Sequence, residues 1–269
     1  MTSSADRRMG QGPFVAEQLR TGDPYELSHG HPIYCAPTGS DGTGPNGLGF
    51  SVLDTDPAVV RAGVDTGLKL ADGTLRAPDV AVGFEDGAGT WARAAKLAVE
   101  YAGRGQDEAD LRAKIEELLD AGTRWVWVVR LVGLPRVEVH ERGSAVRTFA
   151  KGQAITAPGG LQNPVPVAAL FDRDAAHEAS LANLLQRRGY ADLDAVRVEG
   201  REEGRGEGRE EGALAEARAA ILRVGAARGL VLSDADRRRI ETCVEVAMLG
   251  RWLVRAATVG AADEVVGGG

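Results

Sequence analysis

Two carboxylates stand inside apolar runs, Asp79 in Ala77-Pro78-Asp79-Val80-Ala81-Val82 and Glu100 in Leu97-Ala98-Val99-Glu100-Tyr101. A charge on a buried strand is costly unless an opposite charge answers it. Any fold for this chain must therefore bring a cation to these two segments. Lys114 comes next, on a stretch with helical spacing. Two convergent carboxylates and one lysine make the smallest set suited to metal-assisted phosphodiester hydrolysis.

The neighbouring sequence sets the architecture. Asp79 to Phe84 and Lys96 to Tyr101 read as strands, and Ala102-Gly103-Arg104-Gly105-Gln106 reads as the loop that opens a helix over about 107–121. Leu111, Ile115, Leu118 and Leu119 recur at i, i+4, i+7 and i+8 and give that helix one apolar face. Asp107 has the chemistry of an N-cap and Gly122 that of a C-terminal stop. Arg124 to Arg130 is apolar on both faces, Arg136 to Glu141 alternates as a half-exposed strand does, and Val146 to Phe149 adds an edge. Strand, strand, helix, strand, strand implies an α/β domain built on a mixed sheet.

Elsewhere the signals are local. Residues 1–12 read as a flexible N-terminus, Pro13 to Arg20 as a short helix, and Tyr25 to Leu27 with Ile33 to Cys35 as strands joined at Gly30. The Gly, Pro and Asp-rich stretch from Pro37 to Gly49 reads as a loop. Helices are expected near 167–171 and 175–188, closing a first domain over 13–198. Residues 199–212 repeat Glu, Gly and Arg with a period near four. Their charges favour helix by i, i+4 pairing and their glycines weaken it, so the reading is a charged linker or a frayed helix. Residues 213–258 read as a helical hairpin tail, 213–228 and 234–257, and 259–269 as a disordered C-terminus.

Composition bounds the function. The 269 residues carry a net charge of −7, which argues against a surface coated in positive charge for nonspecific nucleic-acid binding. A local basic groove and a bound metal would still suffice for an enzyme acting on phosphodiesters. Cys35 and Cys243 have neither zinc-ribbon nor disulfide-framework spacing. The N-terminal residues lack the apolar core of a signal peptide, and no apolar run reaches bilayer length. The expectation is a soluble, cytoplasmic protein without membrane partners.

If the two acidic strands pair, Asp79 and Glu100 reach one point, and their mutual repulsion favours a hard divalent ion such as Mg²⁺. The Tyr101 main-chain carbonyl is the natural third ligand. Lys114, flanking the apolar stripe beside Ile115, would orient the attacking water, and Asp110 would hold it through an i, i+4 ion pair. Gln106 is a candidate for substrate contact from the loop.

The ordered set Pro78-Asp79-Val80, Val99-Glu100-Tyr101 and Asp110-x-x-x-Lys114 resembles the PD-(D/E)XK nuclease superfamily. Within it, the chain is similar to the Uma-two family of restriction-type endonucleases, in which the active-site lysine lies on the helix after the strand. Ala102 holds the usual lysine position here, which leaves the role to Lys114. Tyr25-Glu26-Leu27-x-x-Gly30 is similar to that family's N-terminal signature, which makes Glu26 an additional acidic residue of the site. The resemblance covers roughly residues 13 to 195. It implies a restriction-endonuclease-like mixed β-sheet flanked by helices, with a C-terminal helical extension. It further implies Mg²⁺ (or Mn²⁺) as cofactor, DNA as substrate, and 3′-hydroxyl and 5′-phosphate products. Cutting two strands would suit a homodimer formed through the helical tail.

Two departures touch the substrate-facing surface. Ala102-Gly103-Arg104-Gly105-Gln106 stands where the family often has Ser-Pro-Ser, and the Pro37 to Gly49 stretch replaces a region that commonly holds a histidine. The competing expectation is a catalytically inactive module of the same fold, acting in protein interaction or oligomeric assembly. A nuclease for RNA or a nucleotide messenger is a third. For other residues the bland reading leads: His29 and His31 as loop residues, Trp125 and Trp127 as core, and Arg187-Arg188 and Arg237 to Arg239 as solvated helix faces.

Overall fold

The computed structural model describes residues 12–37, 39–87 and 89–267, with the side chains of Ser40 and Asp41 left undescribed. The expected flexible N-terminus falls almost wholly outside these residues. The chain divides into two compact units, 1–192 and 193–269.

In the first unit a 3-10 turn (Ala16–Gln18) precedes β1 (Tyr25–Ser28), β2 (His31–Tyr34), α1 (Ser40–Asp54), β3 (Ala62–Val64), β4 (Leu68–Ala71), β5 (Thr74–Arg76), β6 (Val80–Val82) and β7 (Leu97–Ala102). Then come α2 (Glu108–Asp120), β8 (Trp125–Arg130), β9 (Arg136–Glu141), β10 (Arg147–Ala150), β11 (Ala154–Ile155), β12 (Val165–Pro166), a 3-10 turn (Val167–Leu170) and α3 (Arg173–Arg187). The main sheet has six strands in the order β10-β9-β8-β7-β6-β3. Only β7 and β8 run parallel in it, and α2 is their crossover, so the mixed α/β architecture expected from the sequence is present.

Strand alternation assigns the two faces. Leu97, Val99, Trp125, Trp127 and Val129 pack on one side with Val52 and Leu53 of α1 and the turn around Leu170. On the other side Ala98, Ala102, Val126 and Val128 meet Leu111, Ile115 and Leu118 of α2. Glu100 shares the α2 face by the period of two. A second sheet, β2-β1-β5-β4, carries Glu26 and Arg76. His29 and Gly30 (φ 48° and 81°) form the tight hairpin turn between β1 and β2.

Several expectations need correction. The stretch from Pro37 to Gly49 is mostly helix, because α1 gains its stability by burying Val52 and Leu53 against the sheet. Gly49 is needed there, since a Cβ would come within 1.8 Å of the Tyr101 hydroxyl. The helix expected over Pro13 to Arg20 shrinks to the 3-10 turn, and the one near 167–171 is also 3-10.

The second unit begins with α4 (Leu193–Ala227), a single helix running through the Glu/Gly/Arg repeat, followed by α5 (Asp234–Thr242), α6 (Val246–Thr258) and α7 (Asp263–Val266). The helix expected over 234–257 is therefore broken at Cys243 to Glu245, where Arg218 donates to the Cys243 carbonyl at 3.0 and 2.8 Å. Nor is the C-terminus disordered over 259–266, for Val265 and Val266 are buried with Ile221, Ile240, Leu249 and Trp252. Among the described residues no helix is long and apolar enough to cross a membrane.

Candidate active site

β6 and β7 pair antiparallel with Val80 opposite Val99, and the same register sets Asp79 opposite Glu100 at the end of the pair. Asp79 turns toward β7 and accepts the Tyr101 amide on Oδ2 at 2.6 Å. Asn46, from α1, donates to Asp79 Oδ1 at a long 3.4 Å. Glu100, only 8% exposed, faces α2.

Lys114 holds the centre. With Leu111, Ile115 and Leu118 it falls at i, i+3, i+4 and i+7, so it occupies a position in the buried stripe of α2. Its Nζ lies 2.9 Å from Glu100 Oε1 and 2.9 Å from Glu26 Oε1, and it donates to the Ala77 carbonyl at 2.7 Å. Sequence-distant residues thus converge: Asp79, Glu100, Lys114 and Glu26 all line one cavity of about 450 Å³.

The network continues behind Glu26. Arg76 is buried and its guanidinium reaches Glu26 Oε2 at 3.2 Å and Glu117 of α2. Glu117 also accepts the Ser28 hydroxyl. Sequence reasoning missed Arg76 and Glu117, although the rule that exposed Asp79 applies equally to Arg76 in Leu75-Arg76-Ala77. Asn46 went unseen with the helix that carries it.

Burial governs the electrostatics. It raises the Glu100 carboxyl to about 8, against the opposing pull of Lys114. Asp79 is also raised by burial, which the Tyr101 amide bond partly offsets. For Lys114 burial acts to lower the ammonium, but Glu100 and Glu26 outweigh it and hold the group well above its usual range. Four carboxyl groups (Glu26, Asp79, Glu100, Glu117) face two cations (Arg76, Lys114), and with Glu100 holding its proton near neutral pH one negative charge is in excess. Hard carboxylate oxygens in such an excess suit a divalent ion. The fit is for a sparse ligand set: among the described residues no three His, Cys, Asp or Glu side chains are grouped to hold a metal.

Asp110 is placed differently from expectation. The oxygens that meet Lys114 belong to Glu26, Glu100 and Ala77, not Asp110, because the ammonium is drawn inward while Asp110 stays exposed on the first turn. Asp107 caps that turn, accepting the Ala109 and Asp110 amides at 2.8 and 3.1 Å. Gln106 lies on the cavity rim and donates to the Asp107 carbonyl at 3.2 Å. Tyr101 reaches Asp79 through its amide, and its hydroxyl is buried. Trp125 and Trp127 are core, and Arg187 binds the carbonyls of Asp54, Asp56 and Val59 at 2.6 to 2.8 Å.

No family model and no curated protein matches the chain. Among solved structures it is similar to one described as "a putative nuclease belonging to DUF820" from Anabaena variabilis ATCC 29413. The TM-score is 0.53 at 16% identity, over 61% of this chain and 99% of the other. At that identity the likeness establishes a shared, nuclease-like fold.

Proposed function

We propose that the protein is a metal-dependent endonuclease of the PD-(D/E)XK type, related to the Uma-two family, that hydrolyses DNA phosphodiester bonds. The observation that carries this reading is the convergence of Asp79, Glu100 and Lys114 on one cavity, with Lys114 Nζ 2.9 Å from Glu100 Oε1. Asp79 and Glu100 would hold Mg²⁺ (or Mn²⁺), with the Tyr101 carbonyl as third ligand. The ion's chemistry there is Lewis-acid neutralisation of phosphate charge and a lowered pKa for water.

The chain's own groups do the rest. Lys114 orients the attacking water and offsets charge on the phosphorane as the bond to the 3′-oxygen breaks. Glu26 steadies the ammonium from the far side, backed by Arg76. Gln106 contacts substrate from the rim. Dimerisation through the helical tail fits its exposed Val244, Val246 and Val254.

One observation favours the inactive-module reading instead. Lys114 already meets three oxygens within 2.9 Å, as a purely structural lysine would. Plasmid nicking with Mg²⁺ or Mn²⁺ decides between them. Asp79→Ala, Glu100→Ala and Lys114→Ala should each lower nicking by at least about 100-fold, more than the loss typical of residues one step removed from a metal. Equal nicking by the wild type and all three variants would remove the enzyme reading, and no nicking by any would favour the module.

A further inference from the structure

The end of β7 opposite the acidic cavity has the reverse charge. Because β7 and β8 run parallel with Leu97 beside Trp125, the residues just before them, Lys96 and Arg124, are brought together, and the Arg124 amide donates to the Lys96 carbonyl at 3.2 Å. They line an open cleft of about 690 Å³ with Arg93, Lys69, Glu85 and glycine backbone at 83, 122, 159 and 160. Lys96 immediately precedes β7 and Glu100 lies within it four residues on, so these two side chains start about 13 Å apart along the chain.

The cations here are not equivalent. Lys69 is matched by Glu17 and by Asp72 at 3.0 Å. Arg93, Lys96 and Arg124 are exposed and have no carboxylate within ion-pairing reach among the described residues. The Arg124 guanidinium lies over the Trp125 ring at 5.3 Å, a contact that fixes the group and leaves its charge unneutralised. Against these three charges stand Glu85 and the C-terminal end of α2, whose dipole contributes about half a negative charge. The balance is positive, in a chain whose total is −7. Small glycine walls let an extended polyanion approach the cations closely.

We propose that this cleft is a second phosphate-binding site, one that holds phosphodiester groups of a nucleic acid away from the acidic cavity. It deepens the nuclease reading by giving the substrate strand a grip remote from cleavage, yet it operates without metal. A docking surface of this kind draws its affinity from counterion release, so its salt dependence counts the contacts.

The test is fluorescence anisotropy of a labelled DNA duplex in EDTA, where no cleavage occurs, across about 50 to about 200 mM salt. With three contacts, the slope of log K against log salt should be at least about −2.7 for the wild type. Arg93→Ser/Lys96→Ser/Arg124→Ser should weaken binding at least about 10-fold at low salt and flatten the slope by most of that amount. Lys69→Ser, which removes a charge already matched, should change little. An unchanged slope in the triple variant, shown folded by circular dichroism, would overturn the proposal. So would absence of duplex binding by the wild type, or a cleft that takes inorganic phosphate while ignoring DNA. Nicking by a triple variant that binds as the wild type does would sink this inference and spare the nuclease, whereas cleft-dependent binding without any nicking would do the opposite.

Discussion

The two units use charge in opposite ways. In residues 12–192 the decisive ion pairs join positions far apart in sequence, Lys114 with Glu26 and Arg76 with Glu117, and each sets a largely buried side chain against a buried one. In residues 193–267 the ion pairs are short-range and exposed, Arg197 with Asp194 and Arg223 with Glu216, along one face of a helix. A buried pair is held by the fold and in turn enforces one arrangement of it, because leaving either partner alone is so costly. An exposed pair on a helix adds a few tenths of a kcal/mol and leaves its residues replaceable. Concentrated, unreplaceable charge is what a reactive site requires, and it occurs in the sheet unit.

The sharpest way to break this contrast is Lys114→Met. The variant leaves Glu26 and Glu100 buried without their cation, so unfolding free energy should drop by about 3–5 kcal/mol in urea titration. The same change at Arg197 should stay within about 0.5 kcal/mol. A small loss at Lys114 would mean that the cavity is wetter and its charges less essential than the geometry implies.

A pH series probes the same cavity with an effect of similar size. Burial holds the native Glu100 carboxyl up at about 8, whereas the unfolded chain releases that proton near pH ~4.3. The native state therefore binds the extra proton between those values, and stability must fall as pH rises through the window. The loss should be on the order of a few kcal/mol for the wild type. Glu100→Gln cannot titrate, so its Tm should be flat over the same range apart from the other groups. Adding Mg²⁺ at pH about 8 should raise the wild-type Tm and leave the variant's unmoved, if Glu100 is a metal ligand as proposed.

What was legible beforehand follows from the range of each interaction. The strands around Trp125 and Val137, the cap at Asp107 and the stripe of α2 are local patterns, and the structure keeps them. Asp79, Glu100 and Lys114 stood out because charged residues rarely interrupt such patterns. The helix α1 was hidden, since Gly42, Gly44, Pro45, Gly47 and Gly49 all argue for a loop, and only packing of Val52, Leu53 and Gly49 against the sheet overrides them. Partners were also hidden. Nothing near Lys114 in sequence names Glu26 or Ala77, and the local choice, Asp110, lost to oxygens delivered by two different strands and a loop.

The Glu/Gly/Arg repeat is where local reading left two outcomes open, and there the expected effect is smallest. α4 carries Gly204, Gly206 and Gly208 through its exposed middle, and a Cβ at any of them meets nothing within 4 Å. With helical backbone and free space, the only consequence of Gly206→Ala is the helix propensity itself, a gain of about 0.5–1 kcal/mol for that segment. Amide hydrogen exchange across 199–212 should slow by about two- to five-fold accordingly. A flexible linker would give no change, because alanine cannot protect amides that have no helical bond to keep. The substitution thus asks whether the second unit's charges ride on a rigid rod or on a tether, which decides how a tail of exposed, replaceable ion pairs can present anything to a partner.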